Sequence, residues 1–105
     1  MNIKHERLQE ALREGAAEFL AREANRQSLI TVTRAQLSED SKRATVYITV
    51  LPNDAERAAV AFANRNRRAL VDFLKKRIKG GIPHTIEFVI DEGEKNRQRL
   101  DELTN

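Results

Sequence analysis

The chain has 105 residues with 40% hydrophobic and 33% charged content, a net charge of +3 and no cysteine. That is the size of one soluble domain, and it excludes disulfides, thiol catalysis and cysteine-based zinc sites. No apolar run approaches the roughly 20 residues that span a bilayer, and the N-terminal MNIKHERLQEALREG has no signal-peptide apolar region, so a cytoplasmic location is expected.

Residues 3–24 carry helical periodicity, with Leu8, Leu12, Phe19 and Leu20 near one face and Ala16 between them. Gly15 weakens the middle of this helix by about 1 kcal/mol relative to Ala, or permits a close crossing over a sheet. Asn25 to Ser28 break the pattern. Residues 29–37 (LITVTRAQL) read as a strand, with Ile30 and Val32 alternating against Thr31 and Thr33. After the polar turn SEDSK, residues 44–51 (ATVYITVL) form the clearest strand, with Val46, Ile48 and Val50 on one face. The short loop predicts an antiparallel hairpin. Pro52-Asn53 ends the strand, and Asn53 with Glu56 has capping-box spacing, which starts a helix near Asp54. Its inward face takes Ala55, Ala58, Ala59 and Phe62. Residues 63–68 interrupt the apolar pattern, which resumes at Leu70, Phe73, Leu74 and Ile78. This predicts two helices, or one helix kinked near Asn64 to Asn66, where Asn tolerates left-handed backbone. Gly80-Gly81 reads as the C-cap of a helix over 65–79, and Thr85 to Asp91 (TIEFVID) as a third strand. Leu100 and Leu103 suit a short terminal helix or a fraying tail.

The charge is unevenly placed. Residues 65–79 hold seven Lys/Arg against one acid, Asp72, whereas residues 87–105 hold three basic and six acidic groups. A basic helix is the electrostatic footprint of a nucleic-acid binder, because each phosphate contact releases condensed counterions. The candidate RNA-binding set is Arg65, Arg67, Arg68, Lys75, Lys76, Arg77 and Lys79. On a 3.6-residue period Arg65, Arg68, Lys75, Lys76 and Lys79 fall loosely to one side. The bland alternative is a solvated helix face. Lys42 and Arg43 at the hairpin turn either extend the positive surface or keep the turn soluble. With four Phe, one Tyr and no Trp, base stacking is a poor main binding mode. Tyr47 is read as a packing residue. His5 and His84 are the only histidines; His84 with Glu87 or Asp91 makes a weak catalytic set, and no metal or cofactor is implied.

The joint order and spacing of several segments resembles the ribosome-binding factor A family. LITVTRAQLSEDSKRATVYITVL (29–51) is similar to that family's hairpin: a threonine-rich strand, a Ser-x-Asp turn (Ser38-Glu39-Asp40), then Ala-x-Val-Tyr/Phe (Ala44-Thr45-Val46-Tyr47). IPHTIEFVID (82–91) looks like its Pro-x-x-x-F strand ending in Asp, and HERLQEALREGAAEFLARE (5–23) like its first helix. The likeness covers residues 4–91. Ala63-Asn64-Arg65 stands where the family usually has Ala-x-Gly at its helix kink, and Arg68 corresponds to a recurrent Arg. The resemblance implies an α+β, type II KH-like fold of order α-β-β-α(kink)α-β, a three-stranded sheet covered by helices. It places a KH-like RNA-binding domain over 1–91 and a charged C-terminal segment over 92–105.

It also implies a non-enzymatic assembly factor that binds the immature small (30S) ribosomal subunit, contacts 16S rRNA and assists late maturation. A monomer is expected. An ordinary KH domain clamps nucleic acid with Gly-x-x-Gly between helices; this chain has no such motif, so recognition by shape and backbone charge is favoured. The alternative is a protein-interaction module on the same scaffold without RNA contact.

Overall fold

Residues 3–23 and 28–104 are described by the computed structural model. Of the expected break from Asn25 to Ser28, residues 25–27 lie outside them. The first helix, α1 (Ile3–Glu23), buries Leu12, Gly15, Ala16, Phe19 and Leu20. Gly15 does permit a close crossing, but of a helix rather than the sheet: a Cβ there would run into Leu74 Cδ2.

Strand β1 (Leu29–Leu37) pairs antiparallel with β2 (Arg43–Leu51), and β3 (Thr85–Ile90) pairs parallel with β2, giving the order β1-β2-β3. The parallel pairing requires a crossover, which α2 (Glu56–Arg65) and α3 (Arg67–Lys75) supply. The β1 register slips between Val32 and Arg34, where Thr33 is an extra residue. That bulge keeps Val32 on the same buried face as Ala35 and Leu37, although their spacing breaks a strict period of two.

The inner face of the sheet presents Val32, Ala35, Leu37, Ala44, Val46, Ile48, Val50, Ile86 and Phe88 to Leu12, Phe19, Leu20, Ala59, Ala63, Leu70 and Leu74 of α1, α2 and α3. Alternate β2 residues Thr45, Tyr47 and Thr49 face the other way, and Arg34 Cζ lies 3.9 Å from the centre of the Tyr47 ring. Tyr47 is thereby engaged in packing on the outer face.

Four local expectations are corrected. The Asn53 capping box does not form: residues 53–55 make a 3₁₀ turn preceded by Pro52, with no side-chain cap, and Glu56 pairs instead with Lys95 at 3.0 Å. Ala58 is exposed, and α2 buries Ala59 and Ala63. The helix break falls at Asn66, whose φ of −98° is not left-handed. Hydrogen bonding makes it instead: Asn66 Nδ2 donates to Phe62 O at 2.8 Å, and Arg67 Nε donates to Asn64 O at 3.0 Å. Asn64 O is one of the last carbonyls of α2, and Phe62 O accepts from Asn66 N at 3.2 Å as well. Finally, α3 stops at Lys75, well before Gly80. Both Arg77 N and Ile78 N turn back to Leu74 O, and residues 77–81 then line a groove with α1. Gly80 and Gly81, at φ 92° and 97°, turn that loop rather than cap the helix.

The last described element is α4 (Glu92–Thr104), which buries none of its residues. Its N-cap is Asp91, whose Oδ1 accepts from Glu94 N at 3.0 Å. The N-cap that fails to form at Asn53, three residues before Glu56, thus forms at Asp91, three residues before Glu94.

Candidate nucleic-acid interface

The Ser-x-Asp turn is a built structure. Asp40 Oδ1 accepts from Ser38 Oγ at 2.6 Å and from Lys42 N at 3.0 Å, while Ser38 Oγ accepts from Arg43 N at 3.1 Å. The Ser38 hydroxyl, then the Lys42 N–H, hold the Asp40 carboxyl below its usual range. Ser41 takes the left-handed position at φ 61°. The turn leaves the Lys42 and Arg43 side chains exposed.

Two other segments meet this turn. His5 Nε2 on α1 lies 3.1 Å from Ser38 O, and Gln9 Oε1 accepts from Leu37 N at 3.0 Å. From the other side, His84 N and Thr85 N both donate to Lys42 O, at 3.0 and 3.2 Å. The N-terminal half of α1, the hairpin turn and the 76–84 loop therefore converge at one end of the molecule. Lys42, Arg43 and Lys79 are all exposed there. Lys75 joins them through a cleft of about 440 Å³ that it lines with Ile78, Gly81 and His84.

The seven-residue basic set does not form one helix face. Because α3 ends at Lys75, the period that aligned Lys79 with Arg68 stops short of it. Arg65, Arg67 and Arg68 sit at the α2–α3 elbow, with Arg68 and Lys75 two turns apart on the exposed side of α3. Arg67 is engaged with the Asn64 carbonyl. Arg77 is a strap: its guanidinium pairs with Glu18 at 2.5 and 2.6 Å and lies 4.4 Å from the centre of the Phe73 ring. Among the kink residues, Ala63 is buried and Arg65 exposed. Asn64 turns to the sheet, donating to Phe88 O at 3.4 Å and accepting from Phe88 N at 3.1 Å.

His84, Glu87 and Asp91 do not assemble. Asp91 lies at the far end of β3, where it accepts from Thr33 Oγ1 at 2.6 Å and sits 3.6 Å from Arg34 Nε. Burial alone raises its carboxyl, but the Thr33, Glu94 and Gly93 hydrogen bonds and the Arg34 charge outweigh it and leave the group below its usual range. Among the described residues, no three His, Asp or Glu side chains gather to hold a metal, and no helix is long and apolar enough to cross a membrane.

Sequence reasoning passed over Lys4 and Arg7, which are exposed on α1 and line a groove with Lys79. Their signal was present but diluted, because α1 carries five Glu against four Lys/Arg and only the fold segregates them.

Against known proteins, the profile of the ribosome-binding factor A family matches residues 4–104. The chain belongs to this family. It is 42% identical over 91 residues to ribosome-binding factor A of Thermobifida fusca, covering 83% of this chain and 60% of that protein. The relative from Thermodesulfovibrio yellowstonii is 31% identical over 100 residues, covering 93% and 85%. The crystal structure of ribosome-binding factor A from Thermus thermophilus superimposes with a TM-score of 0.71 at 26% identity, over 82% of this chain and 94% of that one. Thermus thermophilus ribosome-binding factor A, as fitted into a cryo-electron-microscopy map of its complex with the 30S subunit, superimposes with a TM-score of 0.68 at 27% identity, over 79% and 90%. The α+β fold with its three-stranded mixed sheet is that of ribosome-binding factor A, and the family is named for ribosome binding rather than for a reaction.

Proposed function

We propose that this chain is a small-subunit assembly factor that binds the immature 30S subunit, contacts 16S rRNA and assists its late maturation. The observation that carries the reading is the convergence of exposed cations from separate segments: Lys42 and Arg43 of the hairpin turn, Lys79 of the loop and Lys75 of α3. Each is a candidate phosphate contact, and Arg65 at the elbow, Arg68 on α3 and Lys76 just after it add further exposed charge. The mechanism needs no chemistry: the basic surface neutralises phosphates at an RNA junction and holds it in a maturation-competent arrangement. The likeness to the Thermus protein fitted to a 30S subunit supports the same partner.

The test is sedimentation of the Arg68→Glu/Lys75→Glu/Lys76→Glu variant with free small subunits at two salt concentrations. Loss of co-sedimentation with an unchanged circular-dichroism spectrum is expected, and the wild-type complex should weaken steeply with salt. Salt-independent binding that survives the charge reversal would instead point to a protein-interaction surface without RNA contact.

A further inference from the structure

The loop that follows α3 divides two clefts. Ile78 and Gly81 line both of them: one opens toward α3, the other toward α1. The second is a groove of about 670 Å³, walled by Lys4, Arg7, Leu8 and Ala11 on one side and by Arg77 to Gly81 on the other. Its rim and floor differ in chemistry. Lys4, Arg7 and Lys79 are exposed on the rim, whereas Leu8, Ala11 and Ile78 are partly buried and apolar.

The charges on the rim are uncompensated. On α1, Glu10 and Glu14 face Arg13, and Glu18 faces Arg22 and Arg77. Those acids are spent on their own cations; Glu6 is exposed, and among the described residues neither Glu6 nor Lys4, Arg7 or Lys79 forms an ion pair. The Arg77–Glu18 strap, backed by the Phe73 ring, ties the loop to α1 and so fixes the width of the groove. At Gly80 and Gly81 the far wall carries no side chain, and a Cβ at either would meet nothing within 4 Å. The wall is therefore open to a ligand's close approach.

We infer that this groove binds a single-stranded RNA segment, with phosphates on Lys4, Arg7 and Lys79 and sugar or base faces on Leu8, Ala11 and Ile78. A basic rim over an apolar floor suits a single strand, whose backbone carries the charge while its sugars and bases offer apolar faces. A folded duplex presents phosphates without those faces. The site lies on α1 and the post-α3 loop, away from the α2–α3 elbow. The inference deepens the RNA-contact reading above and rests on it.

The experiment uses the full chain, an eight-nucleotide fluorescent oligouridine and purified small subunits, across a series of salt concentrations. The Lys4→Ala/Arg7→Ala variant should keep the wild-type thermal transition, since both side chains are exposed. Its oligouridine affinity should fall on the order of tenfold at low salt. The slope of log affinity against log salt should flatten by about 1.4, the value for two lost phosphate contacts on a single strand. Lys4→Arg/Arg7→Lys should restore both. An unchanged affinity, an unchanged slope or no wild-type binding at low salt would overturn the inference. If the groove variant is silent while the Arg68/Lys75/Lys76 reversal still abolishes subunit binding, only the groove assignment fails. If the reversal too leaves subunit binding intact, the RNA-contact reading fails with it.

Discussion

Asn64 sits one residue before Arg65, near the end of α2, and its side-chain amide is turned to the sheet edge. One end donates to Phe88 O and the other accepts from Phe88 N, so the side chain pairs like a short piece of strand with the open edge of β3. An unpaired strand edge otherwise invites association with other chains. Asn64→Ala should leave both Phe88 groups without a protein partner and cost about 1–3 kcal/mol. Urea unfolding is the measurement, and an unchanged midpoint would show that water replaces the amide at no cost. The sequence pointed to a break near Asn64 to Asn66. It could not reveal that one Asn makes the elbow and the other clamps the sheet, because the partner Phe88 lies far along the chain.

Elements meet at Asp91, which ends β3, caps α4 and accepts from Thr33 at the β1 bulge. Its depressed carboxyl sets the sign of the pH response. A group whose pKa is lower folded than unfolded contributes stability that is present above the unfolded value, about 3.9, and is lost as pH falls through the folded one. Docking of α4 should therefore weaken below about pH 4. Following α4 amide signals by NMR during acid titration checks this, and Asp91→Asn should remove most of the dependence. Element positions were legible in the hydrophobic periods: β1 occupies residues 29–37 as expected. Even the bulge left a trace, since the apolar residues shift from even positions (30, 32) to odd ones (35, 37). Helix ends were less legible. Capping-box spacing occurs twice, at Asn53 and at Asp91. At Asn53 a 3₁₀ turn and the Lys95 pair draw Glu56 away; at Asp91 the strand end delivers the acid to the right N–H.

At the scale of the molecule, α4 stands apart from the core. Its exposed Leu100 and Leu103 and its lack of buried residues leave Asp91 and the Glu56–Lys95 pair as its main ties. A chain ending at Asp91 should still unfold cooperatively, with stability reduced by about 1–2 kcal/mol, the worth of a cap and one ion pair. Thermal denaturation followed by circular dichroism decides this. Loss of the cooperative transition would make α4 part of the folding unit. The basic surface is also a property of the whole. In sequence it reads as one helix from Arg65 to Lys79; in space its members divide between the elbow, the exposed face of α3 and the end where the hairpin turn, α1 and the loop converge.

Local information was enough for the elements, their order and the family, since strand alternation, helical periods and turn chemistry are written within a few residues of one another. The location of the positive charge was visible too, because like charges clustered along the chain. Only tertiary structure decided which cations are free. Arg77 is committed to Glu18 and Phe73, whereas Lys4 and Arg7 are set beside Lys79 across a groove. Ion pairing and groove geometry depend on groups distant in sequence, and no spacing rule within one element encodes which distant partner a side chain will meet.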